Sequence, residues 1–443
     1  MLIKFRLKNY RSFKYETEFS MVADSIKEHP GNTCDAKKGV KTLKSSVIYG
    51  ANGSGKSNLL KALMVFKRFV IHSVEVSLRE SNSGLDRFQL DDISMKSPCV
   101  FEVTFLYEDI IYRYGFSADD LKIHEEWLFY TPKKSEVELF KRDGQTIKVN
   151  RKSFSEGIGN TEKTRENVLF LSLMATLNGE VSNNVIKWMN QLNIVSGLND
   201  DTYSQFTKGM MTNEASYRKK ALAFMQSIGL DVKDILVQEK SIDLPPSIPE
   251  RIRKSIIEQE RIHIEFIKSK YSESGDIIGD VAMSIKSESE GTQKLFYLLG
   301  PVYDTLQKGK VLIIDELDAR LHPLMTITLI GLFNSSKTNL KDAQLVFATH
   351  DTNLLSNKLF RRDQVWFVEQ DQYSSSHIYS LSDFKTRDGK KIRNDNKYGK
   401  NYIQGLFGAI PYINEEELSS FASNGFNGPE PHTFIFPPKK KVL

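Results

Sequence analysis

The run Gly50-Ala51-Asn52-Gly53-Ser54-Gly55-Lys56-Ser57 fits the spacing G-x-x-x-x-G-K-[ST] in full. Glycines at Gly50, Gly53 and Gly55 let the backbone wrap a phosphate chain closely, so that its N–H groups, with Asn52 and Ser54 among them, point at the anion. A helix starting just after the loop adds the positive end of its dipole. Lys56 is placed to neutralise β- and γ-phosphates, and the Ser57 hydroxyl to ligate Mg²⁺. A second element, Val311-Leu312-Ile313-Ile314-Asp315-Glu316, is an apolar run ending in two carboxylates, the Walker B pattern. Asp315 would hold Mg²⁺ through water and Glu316 would polarise an attacking water. Either stretch alone has a plainer reading, a Gly/Ser-rich surface loop or an exposed acidic turn. Their occurrence in one chain favours a site for ATP and Mg²⁺.

Further residues refine this expectation. Ser289-Glu290-Gly291 resembles the core of the ABC signature, whose serine and glycine cap the γ-phosphate held by another subunit. A serine at a helix start is also a good N-cap, and the place of this one shortly ahead of Walker B favours the signature reading. Glu290 stands where that signature usually has glycine. Asp318, in Leu317-Asp318-Ala319-Arg320-Leu321-His322-Pro323, resembles the D-loop aspartate that communicates across a dimer. His350, after the strand-like Gln344–Ala348, stands where a switch histidine touches the γ-phosphate, although a lone histidine is usually structural. Gln89 is a candidate Q-loop ligand of Mg²⁺ and water. Arg11, in Asn9-Tyr10-Arg11-Ser12-Phe13, ends the first strand at a position that lies near the nucleotide in SMC-, RecF- and OLD-like ATPases. A solvated turn arginine is the competing explanation.

The elements that must carry these residues are legible in the hydrophobic pattern. Ile3, Phe5 and Leu7 alternate with basic residues, and Ser46–Tyr49 leads directly into the glycine loop. Leu59, Leu60, Leu63, Met64 and Phe66 then fall at helical spacing. Phe101, Val103 and Phe105, a turn at Glu108-Asp109 and a return run at Ile111–Tyr114 predict an antiparallel hairpin, with a further strand pair around Trp127–Tyr130 and Val137–Phe140. The stretch from Asn160 to Ile278 reads mainly as helices, with a long one expected over Pro249–Tyr271. Thr292–Leu306 predicts a helix stopped by Gly309, followed by a buried parallel strand at Val311–Ile314.

Composition narrows the class. Lys and Arg number 61 against 56 Asp and Glu, a net charge of +5, which permits nucleic-acid contact without arguing for it. Two cysteines exclude a disulfide framework, and no Cys/His spacing suggests zinc. No apolar run approaches the roughly 18 residues of a membrane helix. No membrane partner is expected, and a cytoplasmic location is.

These motifs together resemble the AAA/ABC-type ATPases of the abortive-infection group, similar to AbiL- and RloA-like proteins and related to OLD, RecF and SMC heads. Met1-Leu2-Ile3-Lys4-Phe5 with Asn9-Tyr10-Arg11-Ser12-Phe13, the glycine loop, Ser289-Glu290-Gly291-Thr292-Gln293-Lys294, Asp315-Glu316-Leu317-Asp318 with Leu321-His322-Pro323, and Asn401-Tyr402-Ile403-Gln404-Gly405-Leu406-Phe407-Gly408-Ala409-Ile410-Pro411 carry the resemblance. It implies an α/β fold, an ABC-type P-loop ATPase head with a mixed parallel core sheet, an antiparallel β subdomain and a helical insertion. The expected divisions are 1–150 (N-terminal ATPase lobe), 151–280 (helical insertion), 281–385 (C-terminal ATPase lobe) and 386–443 (basic extension). It further implies a nucleotide-sandwich homodimer, with a higher oligomer compatible, that regulates a separate nuclease-like effector in anti-phage defence. No nuclease is expected in this chain. A DNA-bound repair ATPase of RecF or SMC type is the alternative, for which the basic segment Lys385, Arg387, Lys390, Lys391, Arg393, Lys397 and Lys400 and the lysines 439–441 would speak. A transporter subunit is disfavoured by the long insert between Gln89 and Ser289, and a non-hydrolysing scaffold by Glu316.

Overall fold

The computed structural model describes residues 1–36, 39–75, 84–241, 245, 247–385 and 397–411. Two compact units emerge, one formed by Asn190–Thr349, the other by Leu2–Met189 with the chain from His350 onward. Residues 2–189 supply β1 (Leu2–Lys8), β2 (Thr17–Ser20), β3 (Thr33–Ala36), β4 (Val40–Leu43), β5 (Ser45–Tyr49) and α1 (Lys56–His72). After α2 (Asp92–Lys96) come β6 (Cys99–Tyr107), β7 (Ile110–Ala118), β8 (Ile123–Thr131), β9 (Val137–Asp143) and β10 (Thr146–Val149), then α3 (Phe170–Thr176) and α4 (Glu180–Met189). The antiparallel sheet has the order β10-β9-β8-β7-β6-β1-β2. Its alternating aromatics meet α1, where Phe66 stacks on Phe116 at 5.5 Å between ring centroids. Glu108 and Asp109 both take positive φ, 47° and 64°, and make the tight turn of the β6–β7 hairpin.

The Asn190–Thr349 unit contains β11 (Leu192–Ser196), α5 (Asp201–Asn213), α6 (Ala215–Ser227), β12 (Asp234–Glu239), α7 (Glu250–Glu260), β13 (Ile262–Tyr271) and β14 (Ile277–Ser284). It continues with α8 (Glu290–Lys308), β15 (Val311–Asp315), α9 (Pro323–Asn334) and β16 (Gln344–Ala348). Strand β15 is paired in parallel with β11 on one side and β16 on the other. Val311–Ile314 is buried throughout, as its continuous apolar run requires. Gly309, at φ 63°, ends α8 in the left-handed conformation.

The insertion expected to be mainly helical is mixed. The antiparallel sheet β12-β13-β14 lies within it, and the long helix expected over Pro249–Tyr271 ends at Glu260. Ile252, Ile256 and Ile257 keep helical spacing to that point. From Ile262 the period becomes two, with Ile262, Ile264 and Phe266 buried and His263 and Glu265 less so. A run of isoleucines suits both periods, which hid the switch.

The chain from His350 onward adds β17 (Val365–Gln370), β18 (Ser376–Ser380) and α10 (Tyr398–Ile403) to the Leu2–Met189 unit. Strand β17 pairs in parallel with β5 and antiparallel with β18. The Asn401–Pro411 stretch docks there. The Tyr379 hydroxyl donates to the Phe407 carbonyl at 2.6 Å, and Ala409 N donates to Glu369 Oε2 at 2.9 Å. Arg387, Lys390, Lys391, Arg393 and the lysines 439–441 lie outside the described residues. No helix among the described residues is long and apolar enough to cross a membrane.

Candidate nucleotide site

Fully buried β5 delivers the chain into the glycine loop, and α1 begins at Lys56 with Gly55 as its N-cap at φ 110°. A Cβ on Gly55 would lie 2.8 Å from Ser12 Oγ and nearer still to Ser376 Oγ, so both backbone and space demand glycine. The loop is braced from behind. Ser376 Oγ donates to the Ser54 carbonyl at 2.6 Å, Ser376 N to the Ser12 carbonyl at 2.7 Å, and Asn58 Nδ2 to Ser12 Oγ at 2.8 Å. Gly50 lies against the Val368 carbonyl, while Asn52 and Gly53 are exposed at the tip. Ser57 is half-buried on the first turn of α1.

Lys56 is 5% exposed, and its Nζ donates to the Gly50 carbonyl at 2.7 Å and the Ala51 carbonyl at 3.0 Å. The ammonium therefore curls over the mouth of its own loop. Ser54 Oγ is buried with no hydrogen-bond partner among the described residues. A buried hydroxyl and an ammonium turned onto loop carbonyls fit a polyphosphate chain, which would supply acceptors to both.

In the same unit, Arg11 takes φ 49° and donates from its backbone N to the Asp86 carbonyl at 2.7 Å. Its guanidinium gives both Nε and Nη2 to Asp86 Oδ2, at 3.0 and 2.7 Å. Gln89 is exposed and its amide donates to the Arg87 carbonyl at 3.1 Å. His350 is exposed two residues beyond the end of β16.

The Asn190–Thr349 unit contains Asp315, Glu316 and Asp318 and the Ser289–Gly291 stretch expected to act as a signature. Asp315 ends β15, and its Oδ1 is buried with no hydrogen-bond partner among the described residues. A carboxylate oxygen left so is costly without a cation or donor. Glu316 follows at φ 56°, a rare conformation for a non-glycine residue. Gly197 N donates to the Asp315 carbonyl at 2.6 Å and Leu317 N to the Ala348 carbonyl at 3.2 Å, fixing the turn on both sides. Asp318 Oδ1 is likewise buried and partnerless among the described residues. No cluster of three or more His, Cys, Asp or Glu residues suited to a metal occurs among the described residues. Magnesium bound through one or two side chains, water and phosphates needs no such cage.

Ser289 caps α8, its Oγ accepting from Thr292 N at 3.2 Å, and it is exposed. The cap explains the serine locally, and its exposure leaves the hydroxyl accessible to another molecule. A Cβ on Gly291 would stand 2.6 Å from the Arg320 carbonyl, so glycine permits the close approach of α8 to the turn after β15. Glu290 pairs with Arg320 at 3.4 Å.

Four supporting residues escape the sequence pattern. Asn58 and Ser376 brace the loop, Gly197 abuts the Asp315–Glu316 turn, and Lys294 lies beneath that turn. Ser376 reaches Ser54 across 322 positions, a separation at which no local spacing can signal contact. Lys294 left a faint trace as a lone charge in the otherwise apolar Lys294–Val302 run.

The family described as "AAA domain, putative AbiEii toxin, Type IV TA system" matches residues 45–173 and 228–356, more than half of the chain. Among solved structures, the SMC head domain from Thermotoga maritima is similar at 14% sequence identity and a TM-score of 0.38, covering 86% of this chain and 98% of its own. No curated protein matches.

Proposed function

The chain belongs to the AAA-domain family described as putative AbiEii toxin of type IV TA systems, and from that premise we propose that it binds ATP with Mg²⁺ and hydrolyses it. The observation that carries this reading is the braced loop Gly50–Ser57, with Lys56 turned onto loop carbonyls and Ser54 Oγ without a hydrogen-bond partner among the described residues. Backbone N–H groups of Gly50, Asn52, Gly53, Ser54 and Gly55 would hold the phosphates, and Lys56 would leave its carbonyls for the β- and γ-phosphate oxygens. Arg11 would exchange Asp86 for the nucleotide. Ser57, Asp315 and Gln89 are the proposed holders of Mg²⁺, whose charge would offset that of the phosphates. Glu316 would accept a proton from the attacking water while His350 contacts the γ-phosphate.

Ser289, Gly291 and Asp318 are proposed to act on ATP held by a second copy, making the working unit a head-to-tail homodimer. Exposure of Ser289 at a helix N-terminus supports this. The family description names a putative toxin of a type IV TA system, and we place the chain as the regulatory ATPase of a separate, nuclease-like effector in bacterial anti-phage defence.

Lys56→Ala should weaken ATP binding by about 100-fold, since charge-assisted bonds to phosphate contribute about 1.5–3 kcal/mol each, as read by titration calorimetry. Glu316→Gln should keep ATP binding and lose about 100-fold or more in kcat, the usual scale for a general base. Hydrolysis by Glu316→Gln at the wild-type rate would remove Glu316 from the mechanism.

A further inference from the structure

Lys294 is 2% exposed on the second turn of α8. Its Nζ donates to three carbonyls of one turn, those of Glu316 at 3.3 Å, Leu317 at 3.1 Å and Ala319 at 2.6 Å. An ammonium has three protons to give and no acceptor, so the match to three carbonyls uses its full capacity. Close by, Gly291 leaves room for the Arg320 carbonyl and Glu290 pairs with Arg320. The start of α8 and the turn Glu316–Arg320 are thus clamped together at three points.

We propose that Lys294 is a positioning residue for hydrolysis: it ties the turn bearing Glu316 and Asp318 to the helix that presents Ser289 and Gly291, so that the two move as one body. This rests on the assignment of Glu316 and Ser289 made above. Burial holds the Lys294 ammonium down at about 8, opposed by the nearby Asp318 and Glu316 charges, so the position bears a desolvation cost that an apolar residue would avoid. The left-handed Glu316 backbone sits directly over it, where a slack turn would let the carboxylate drift. A purely packing role would need neither three donors nor a charge.

The test compares wild type, Lys294→Met, Lys294→Gln and Lys294→Arg in three measurements. Hydrogen exchange reads the tether without needing turnover. Amides of Leu317, Ala319 and Leu321 are hydrogen-bonded in the native turn and should exchange faster in Lys294→Met. Steady-state kinetics should then show kcat lower by about 100-fold, the scale that a misplacement of about 1 Å costs, with ATP affinity within about twofold because the P-loop is untouched. Lys294→Arg should recover much of kcat, and Lys294→Gln, with two donors, less. Unchanged exchange in Lys294→Met would overturn the tether. Faster exchange with wild-type kcat would overturn its role in hydrolysis, as would equal losses in the Arg and Met variants. A wild-type protein that binds but does not turn over ATP would instead strike at the function proposed above, leaving the tether to be judged by exchange.

Discussion

At the scale of the residue, the contiguous motifs were the legible part. Lys56 and Ser57 adjoin at the start of one helix, and Asp315 and Glu316 at the end of one strand, so the spacing within each pair survives in the sequence. Lys294 and Ser376 act through contacts between distant segments, and only the fold shows them. Lys294 also has a consequence for stability. Its folded-state pKa of about 8 lies below the ordinary lysine value of 10.5, so between these values the unfolded chain binds more protons than the native one. Stability conferred through this residue should therefore rise from pH 8 to pH 10.5. Chemical denaturation of wild type and Lys294→Met across that range should show the increment in wild type alone. A parallel pH profile in both would contradict the buried placement.

At the scale of the element, strands around both motifs were readable because each is short, apolar and bounded by glycine or acidic residues. Strand β16 was expected at its observed limits, and Gly309 was recognised as the stop of α8. The sheet β12-β13-β14 was not, because isoleucine serves helix and strand alike and nothing punctuates the change at Arg261. This sheet has a direct bearing on α8, since Phe266 on β13 packs edge-on against Phe296 at 5.3 Å. Phe266 is fully buried, and Phe266→Ala should cost about 3–5 kcal/mol. The lowered denaturation midpoint should be accompanied by a fall in kcat if this sheet steadies the signature helix. A midpoint within error of wild type would show that the sheet contributes nothing to the unit's core.

At the scale of the whole molecule, the proposal is a composite site. Lys56 belongs to the unit holding the phosphate loop, and Ser289 to the unit holding Glu316. In a head-to-tail homodimer, an intact Lys56 on one copy would be served by Ser289 of the other. A DNA-bound role remains the competing use of the same ATPase, and steep salt dependence of DNA binding would favour it. The composite site is tested most directly by mixing two inactive variants. Lys56→Ala and Ser289→Arg should each hydrolyse ATP at background rate, the second while still binding nucleotide. Mixed in equal amounts, random dimers would carry one competent site in about a quarter of all positions, and the mixture should recover about a quarter of wild-type activity per chain. Activity no greater than the sum of the two variants, from protein shown to exchange subunits, would contradict a site built from two copies.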